Sequence, residues 1–136
     1  MRYSELIQLY FERSNALQGY WTLYVVIIGG LLAFSSLRKQ RDPITTALVT
    51  VLFTFFAYKN LDAIHDVTLQ RFATLDAIKQ ASSSASDVPD AKVRAVLEPT
   101  LNPPAYDGVR TFHVASDLLT IITLWAMERR RAKHAP

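Results

Sequence analysis

The chain of 136 residues has room for one domain, and half of its residues are hydrophobic, at the upper end for a soluble globule. Without cysteine it can build neither a disulfide framework nor a thiolate metal site. The net charge of +3 does not point to nucleic acid: the bases gather in RKQR and ERRRAK, each abutting the end of an apolar run, with no aromatic interleaving and no nucleic-acid motif.

In chain order, MRYSELIQLYFERSNALQG comes first, with Tyr3, Leu6, Ile7, Tyr10 and Phe11 at helical spacing and Glu5, Gln8, Glu12 and Arg13 between them. This predicts an amphipathic helix that lies at a membrane interface or continues into the first apolar run. That run, WTLYVVIIGGLLAFSSL, carries no charge and no polar stripe of the kind a soluble surface helix needs. Its late start and the RKQR directly after it distinguish it from a cleavable signal peptide. Tyr20, Trp21 and Tyr24 form an aromatic belt at its outer end, and Gly29 and Ala33 offer a small-residue face for close helix approach.

The turn LRKQRDPIT is short, with Asp42 placed to cap the next helix and Pro43 in its first turn, where a missing N–H costs nothing. Two helices joined by so few residues are antiparallel neighbours. The apolar run 43–58 passes without a break into KNLDAIHDVTLQRFATLDAIKQ, whose Leu61, Ile64, Leu69, Phe72, Leu75 and Ile78 keep helical spacing, so one helix is predicted to run to about residue 80. ASSSASDVP ends it, a short helix is predicted over 89–97, and PTLNPPAYDG is an irregular approach to a last helix that starts near Asp107 and Gly108. Tyr10, Phe11, Phe72 and Tyr106 are expected in the core of the outer part, and Trp125 as an interfacial anchor.

Three apolar stretches of roughly 17 residues, extended by amphipathic flanks, approach the ~20 residues that cross ~30 Å of hydrocarbon. The sequence therefore predicts an all-α, three-span helical membrane protein with an amphipathic N-terminal helix and a small helical extramembrane cap. The parts are an N-terminal helix 1–19, a first span 20–37, a second span with outer extension 43–80, an outer loop 81–109, a third span 110–130 and a tail 131–136. RKQRD carries a net +2 and ERRRAKHAP a net +3, whereas residues 59–110 balance six bases against seven acids. The positive-inside rule then puts the first turn and the C-terminus in the cytoplasm and the N-terminus and the 60–110 loop outside, in a plasma membrane or, if the cell is bacterial, an inner membrane.

The ionisable residues collect in the outer half of the membrane and just above it. On the third helix Arg110, His113 and Asp117 share a face, and on the second Lys59, Asp62, His65 and Asp66 share another. Charges in lipid are costly, so these faces should turn inward, with Arg110 against Asp62 and His113 against Asp117. His113 and Asp117 have ligand types for zinc or a similar ion, but counted by helical rise His65 lies near Tyr106 and Asp107, more than about 10 Å from Asp117, so one ion cannot collect them all. No hydrolase or phosphate-binding motif appears, and no cofactor is implied. The leading expectation is a structural or interaction role, as a subunit of a homo- or hetero-oligomeric membrane complex. The alternative is an oligomeric channel or transporter with a proton or ion path lined by Asp62, His113 and Asp117, and the third is a membrane-embedded metal-dependent hydrolase.

Overall fold

A computed structural model describes residues 1–84 and 89–133. Part of the Ser-rich breaker and the last three residues of the tail lie outside the described residues. Helix accounts for 87% of the described residues, and there is no strand among them, so the protein is all-α. The helices are α1 (Tyr3–Leu37), α2 (Pro43–Ala81), α3 (Ala91–Leu97) and α4 (Tyr106–Lys133), with a 3₁₀ turn over Glu98–Thr100 after α3.

The amphipathic N-terminal segment does not lie apart from the first apolar run. It continues into it as one helix of 35 residues, because nothing in ALQGYW breaks the ladder. The carboxylate of Glu5 accepts the backbone N–H of Arg2 at 2.8 Å and closes the first turn. α2 starts as expected: Asp42 accepts the N–H of Thr45 at 3.0 Å, and Pro43 occupies the first turn. Its hydrogen bonds from the backbone and hydroxyl of Thr45 hold the Asp42 carboxyl below the usual carboxylate range.

At 1.5 Å per residue α1 and α2 are about 50–60 Å long, roughly twice the thickness of a hydrocarbon layer. Both are long and apolar enough, by length and composition, to cross a membrane; α4 falls short of that measure because it carries His113, Asp117 and the terminal bases.

α1 and α2 form an antiparallel hairpin. At its tip away from the 38–42 turn, Tyr3, Leu6, Tyr10, Leu75, Ile78 and Leu101 make a buried cluster, tightened by the guanidinium of Arg71, which donates to the Tyr10 hydroxyl at 3.1 Å. Leu101, after the 3₁₀ turn, plugs this tip. Tyr106 begins α4 beside His65, ring centroids 4.4 Å apart. The chain therefore descends ten or more residues of α2, about 15–20 Å, in five residues. Only an extended backbone covers that distance, which explains the consecutive prolines 103 and 104, each of which biases the residue before it to an extended conformation. Lower down, α4 packs on both long helices, and Tyr24, Phe53 and Ala57 form a second buried cluster with Trp21, Ile28 and Ile121 against it.

Two aromatic expectations fail. Phe11 is 45% and Phe72 37% exposed, whereas Tyr10 is buried. The seam between the long helices follows Leu6, Tyr10, Leu75 and Ile78, and one position along a helix turns a side chain by about 100°, which carries Phe11 out of it.

Candidate functional site

Two groups of buried polar side chains bond from helix to helix, at two levels of the bundle. The one further from the 38–42 turn is built on His113, which is completely buried. Its Nδ1 meets the carboxylate of Asp117, one helical turn on, at 2.9 Å. Its Nε2 meets the Asn60 amide nitrogen from α2 at 3.3 Å. α1 contributes Tyr24, whose ring stacks on the imidazole with centroids 4.1 Å apart and whose hydroxyl donates to the other carboxylate oxygen of Asp117 at 2.7 Å. Trp21 closes over the same ring at 5.8 Å. One proton arrangement fits these contacts: Nδ1–H donates to Asp117, and the unprotonated Nε2 accepts from the Asn60 amide. The carbonyl oxygen of Asn60 is left buried and without a partner among the described residues.

The second level, beside the 38–42 turn, is built on Glu128 of α4, 3% exposed. Its carboxylate accepts the backbone N–H of Asp42 at 2.8 Å, the Thr46 hydroxyl at 2.9 Å and the Arg131 guanidinium at 2.8 Å, with Arg38 at 3.9 Å. Arg131 also donates to the backbone carbonyl of Ser35 at 2.6 Å. A carboxylate thus sits at the N-terminus of α2 and a guanidinium at the C-terminus of α1, each satisfying orphan groups of a helix end and opposing the local helix dipole. The arginine block, expected as an orientation signal, spends Arg131 inside the bundle.

Of the expected cluster, His113 and Asp117 are together as paired in sequence. Asp62 and Arg110 do not join them. Asp62 is exposed and ion-pairs with Lys59 at 3.8 Å, an arrangement that contributes little to stability. Arg110 is exposed and enters no ion pair among the described residues. The reason is the face each presents. His113 stands level with Asn60, which puts Arg110 near the level of Asp62, but Asp62 is two positions on from Asn60, about 200° around α2, and points out of the seam. His65 packs against the Tyr106 ring at a tilt of 49°, at the level counted for it, and Asp66 is exposed. No group of three or more His, Asp or Glu fit to hold a metal ion occurs among the described residues.

Tyr24 and Asn60 are the members that residue type alone does not single out. Both stand in the seam. On α2 the buried positions Phe53, Ala57, Asn60, Ile64 and Val67 alternate by fours and threes, so Asn60 is a polar residue in an otherwise apolar stripe.

Chemically, a carboxylate–imidazole pair orients a base, and a hydrolase would place its nucleophile at Nε2. Here Nε2 faces an amide, and the nearby Ser116 hydroxyl donates to the Phe112 carbonyl at 2.8 Å. The arrangement instead ties three helices together through one imidazole. Set against family models, curated proteins and solved structures, the chain matches none, so its function is argued from these residues alone.

Proposed function

We propose that the protein is a small integral membrane protein of three spans, α1, α2 and α4, with a structural or interaction role as a subunit of a homo- or hetero-oligomeric membrane complex. The observation that carries the membrane part is an inverted distribution of side chains. Val25, Val26, Ile44, Leu48, Leu52, Phe55, Phe112, Leu118, Leu119 and Ile122 are more than half exposed, while Ser35, Thr46, Asn60, His113, Thr120 and Glu128 are buried between the helices. A water-soluble bundle places these classes the other way round. In hydrocarbon the polar groups have every reason to turn inward and the apolar ones none.

In this reading the Glu128 knot lies at the cytoplasmic boundary and the His113 knot about 20–25 Å above it, near the outer edge of the hydrocarbon. The tips of α1 and α2, with α3, project outside. The subunit role draws support from faces that the chain's own helices leave uncovered. Gly29 and Ala33 are exposed, with nothing near a Cβ built at Gly29, and an apolar groove between α1 and α2 is lined by Ile27, Leu31, Val49, Leu52, Phe53 and Phe56.

An ion path would have to run between copies, because buried Leu124 and Phe53 lie between the two polar knots. The test is the mass of the detergent-solubilised particle by light scattering, with its protein content. More than one chain per particle, as copies or with a stoichiometric partner, is expected. A homogeneous single-copy particle contradicts the subunit role.

A further inference from the structure

We infer that the inner end of the bundle binds the headgroups of anionic phospholipids of the adjacent leaflet. The inference rests on the span assignment above. Segments 38–42 and 128–133 carry seven bases against two acids, a net of +5 on a chain whose total is +3. Both acids are already engaged: Glu128 holds Arg131, Thr46 and the start of α2, and Asp42 holds Thr45, with Arg38 near both. Arg38 and Arg131 are correspondingly withdrawn, their side chains 15% and 10% exposed. That leaves Lys39, Arg41, Arg129, Arg130 and Lys133, all exposed and none in an ion pair among the described residues.

These five bases lie at the rim of the exposed apolar belt. Leu37 and Ile44, 78% and 80% exposed, flank the turn that carries Lys39 and Arg41, and Leu48 stands one turn further along α2. On α4, Trp125 and Arg129 are one turn apart on the same face. A lipid whose chains lie along Ile44 and Leu48 brings its phosphate to the bases of the turn. Basic groups in that position, with their local acids consumed, favour a negatively charged headgroup over a zwitterionic one. Like any exposed charge attraction, the preference weakens with salt.

Trp125 gives a direct readout. The full chain is reconstituted into vesicles of phosphatidylcholine and phosphatidylglycerol in which one lipid or the other is brominated, and quenching of tryptophan emission is compared at equal mole fraction. Both tryptophans emit, so each comparison is made in a Trp21→Phe background, which keeps an aromatic ring against the His113 knot at the opposite end and leaves Trp125 as the one emitter. We expect brominated phosphatidylglycerol to quench more strongly, with a relative affinity about fivefold or more in its favour, the factor that one well-placed base supplies. Replacing Lys39, Arg41, Arg129 and Arg130 together by Gln is expected to abolish the preference while helix content is unchanged, since Arg38, Arg131 and Glu128 are untouched. Equal quenching by the two lipids with the four bases intact would overturn the inference and leave these bases to orientation or to an acidic soluble partner. A preference that survives in the fourfold variant would also overturn it. Quenching by neither lipid would instead remove the span assignment.

Discussion

Tyr24 on α1 and Asp117 on α4 are joined at 2.7 Å across the bundle, and the same tyrosine lays its ring on the imidazole that Asp117 orients. One side chain of α1 therefore reads both the position and the rotation of α4. Tyr24→Phe keeps the ring and removes the hydrogen bond, so it should lower stability by about 1 kcal/mol. Tyr24→Ala also opens a cavity and should cost about 3 kcal/mol or more. Thermal unfolding in one detergent, followed by helix signal, checks the order; equal losses would remove the stacking from the account.

Asp117 serves two donors, Tyr24 and His113. Asp117→Ala leaves the His113 Nδ1–H without an acceptor in a low-dielectric place and the Tyr24 hydroxyl with only the longer contact to the His113 carbonyl, 3.2 Å, at a cost of about 2–3 kcal/mol. Asp117→Asn keeps a carbonyl acceptor and should retain more than half of that. If the pair instead moved protons, the Asn variant would fold and assemble normally yet lose a flux that wild-type vesicles display across a pH gradient. That result would contradict the structural reading.

The Glu128 knot makes a stronger demand. Glu128→Ala leaves the withdrawn guanidinium of Arg131, and Arg38 beside it, facing each other without a carboxylate, and a broken buried pair costs about 3–5 kcal/mol. Glu128→Gln keeps one acceptor for the Asp42 N–H and should fall between the two. Changing the exposed Arg130 to Gln should be nearly silent in the same unfolding assay.

At the hairpin tip away from the 38–42 turn, Ile78 is fully buried and Phe72 is partly exposed. Ile78→Ala should cost about 2–4 kcal/mol and Phe72→Ala clearly less. The same tip has a pH dependence with a definite sign. Burial, and then the hydrogen bond and charge of Glu98, raise the Tyr3 phenol above its ordinary value. A raised phenol stabilises the fold fully below its unfolded pKa of about 10, and that contribution is lost as pH rises through the folded value. Between pH 9 and 11 the unfolding midpoint of the wild type should fall more steeply than that of Tyr3→Phe; parallel curves would detach Tyr3 from the tip.

How much of this was legible in the residues differs between backbone and site. The long second helix, its Asp42–Pro43 start, the short helix before the prolines and the His113–Asp117 pair all follow from local spacing, because caps, breakers and i, i+4 neighbours act within one turn. Asn60 and Tyr24 carry no charge, and charge is what draws the eye to His113 and Asp117. The informative signal was a polar residue standing in the heptad-like seam, as Asn60 does between Ala57 and Ile64. Glu128 was hidden for a different reason: in sequence it is one acid before three arginines, and only the arrival of the α1–α2 turn at that end gives it Asp42 and Thr46 to hold. Phe72 shows the converse, since a large aromatic at helical spacing reads as core whenever the seam's exact register is unknown.

The proposed three-span bundle requires α4 to cross the membrane with its basic end beside the α1–α2 turn. The chain has no cysteine, so Ser84→Cys, Gln40→Cys and Lys133→Cys each provide one labelling site in an otherwise unreactive protein. With a membrane-impermeant maleimide on intact cells, labelling is expected at position 84 alone, and at positions 40 and 133 only after the membrane is opened. Labelling of positions 84 and 133 together from outside would mean that α4 does not span, and would contradict the three-span bundle.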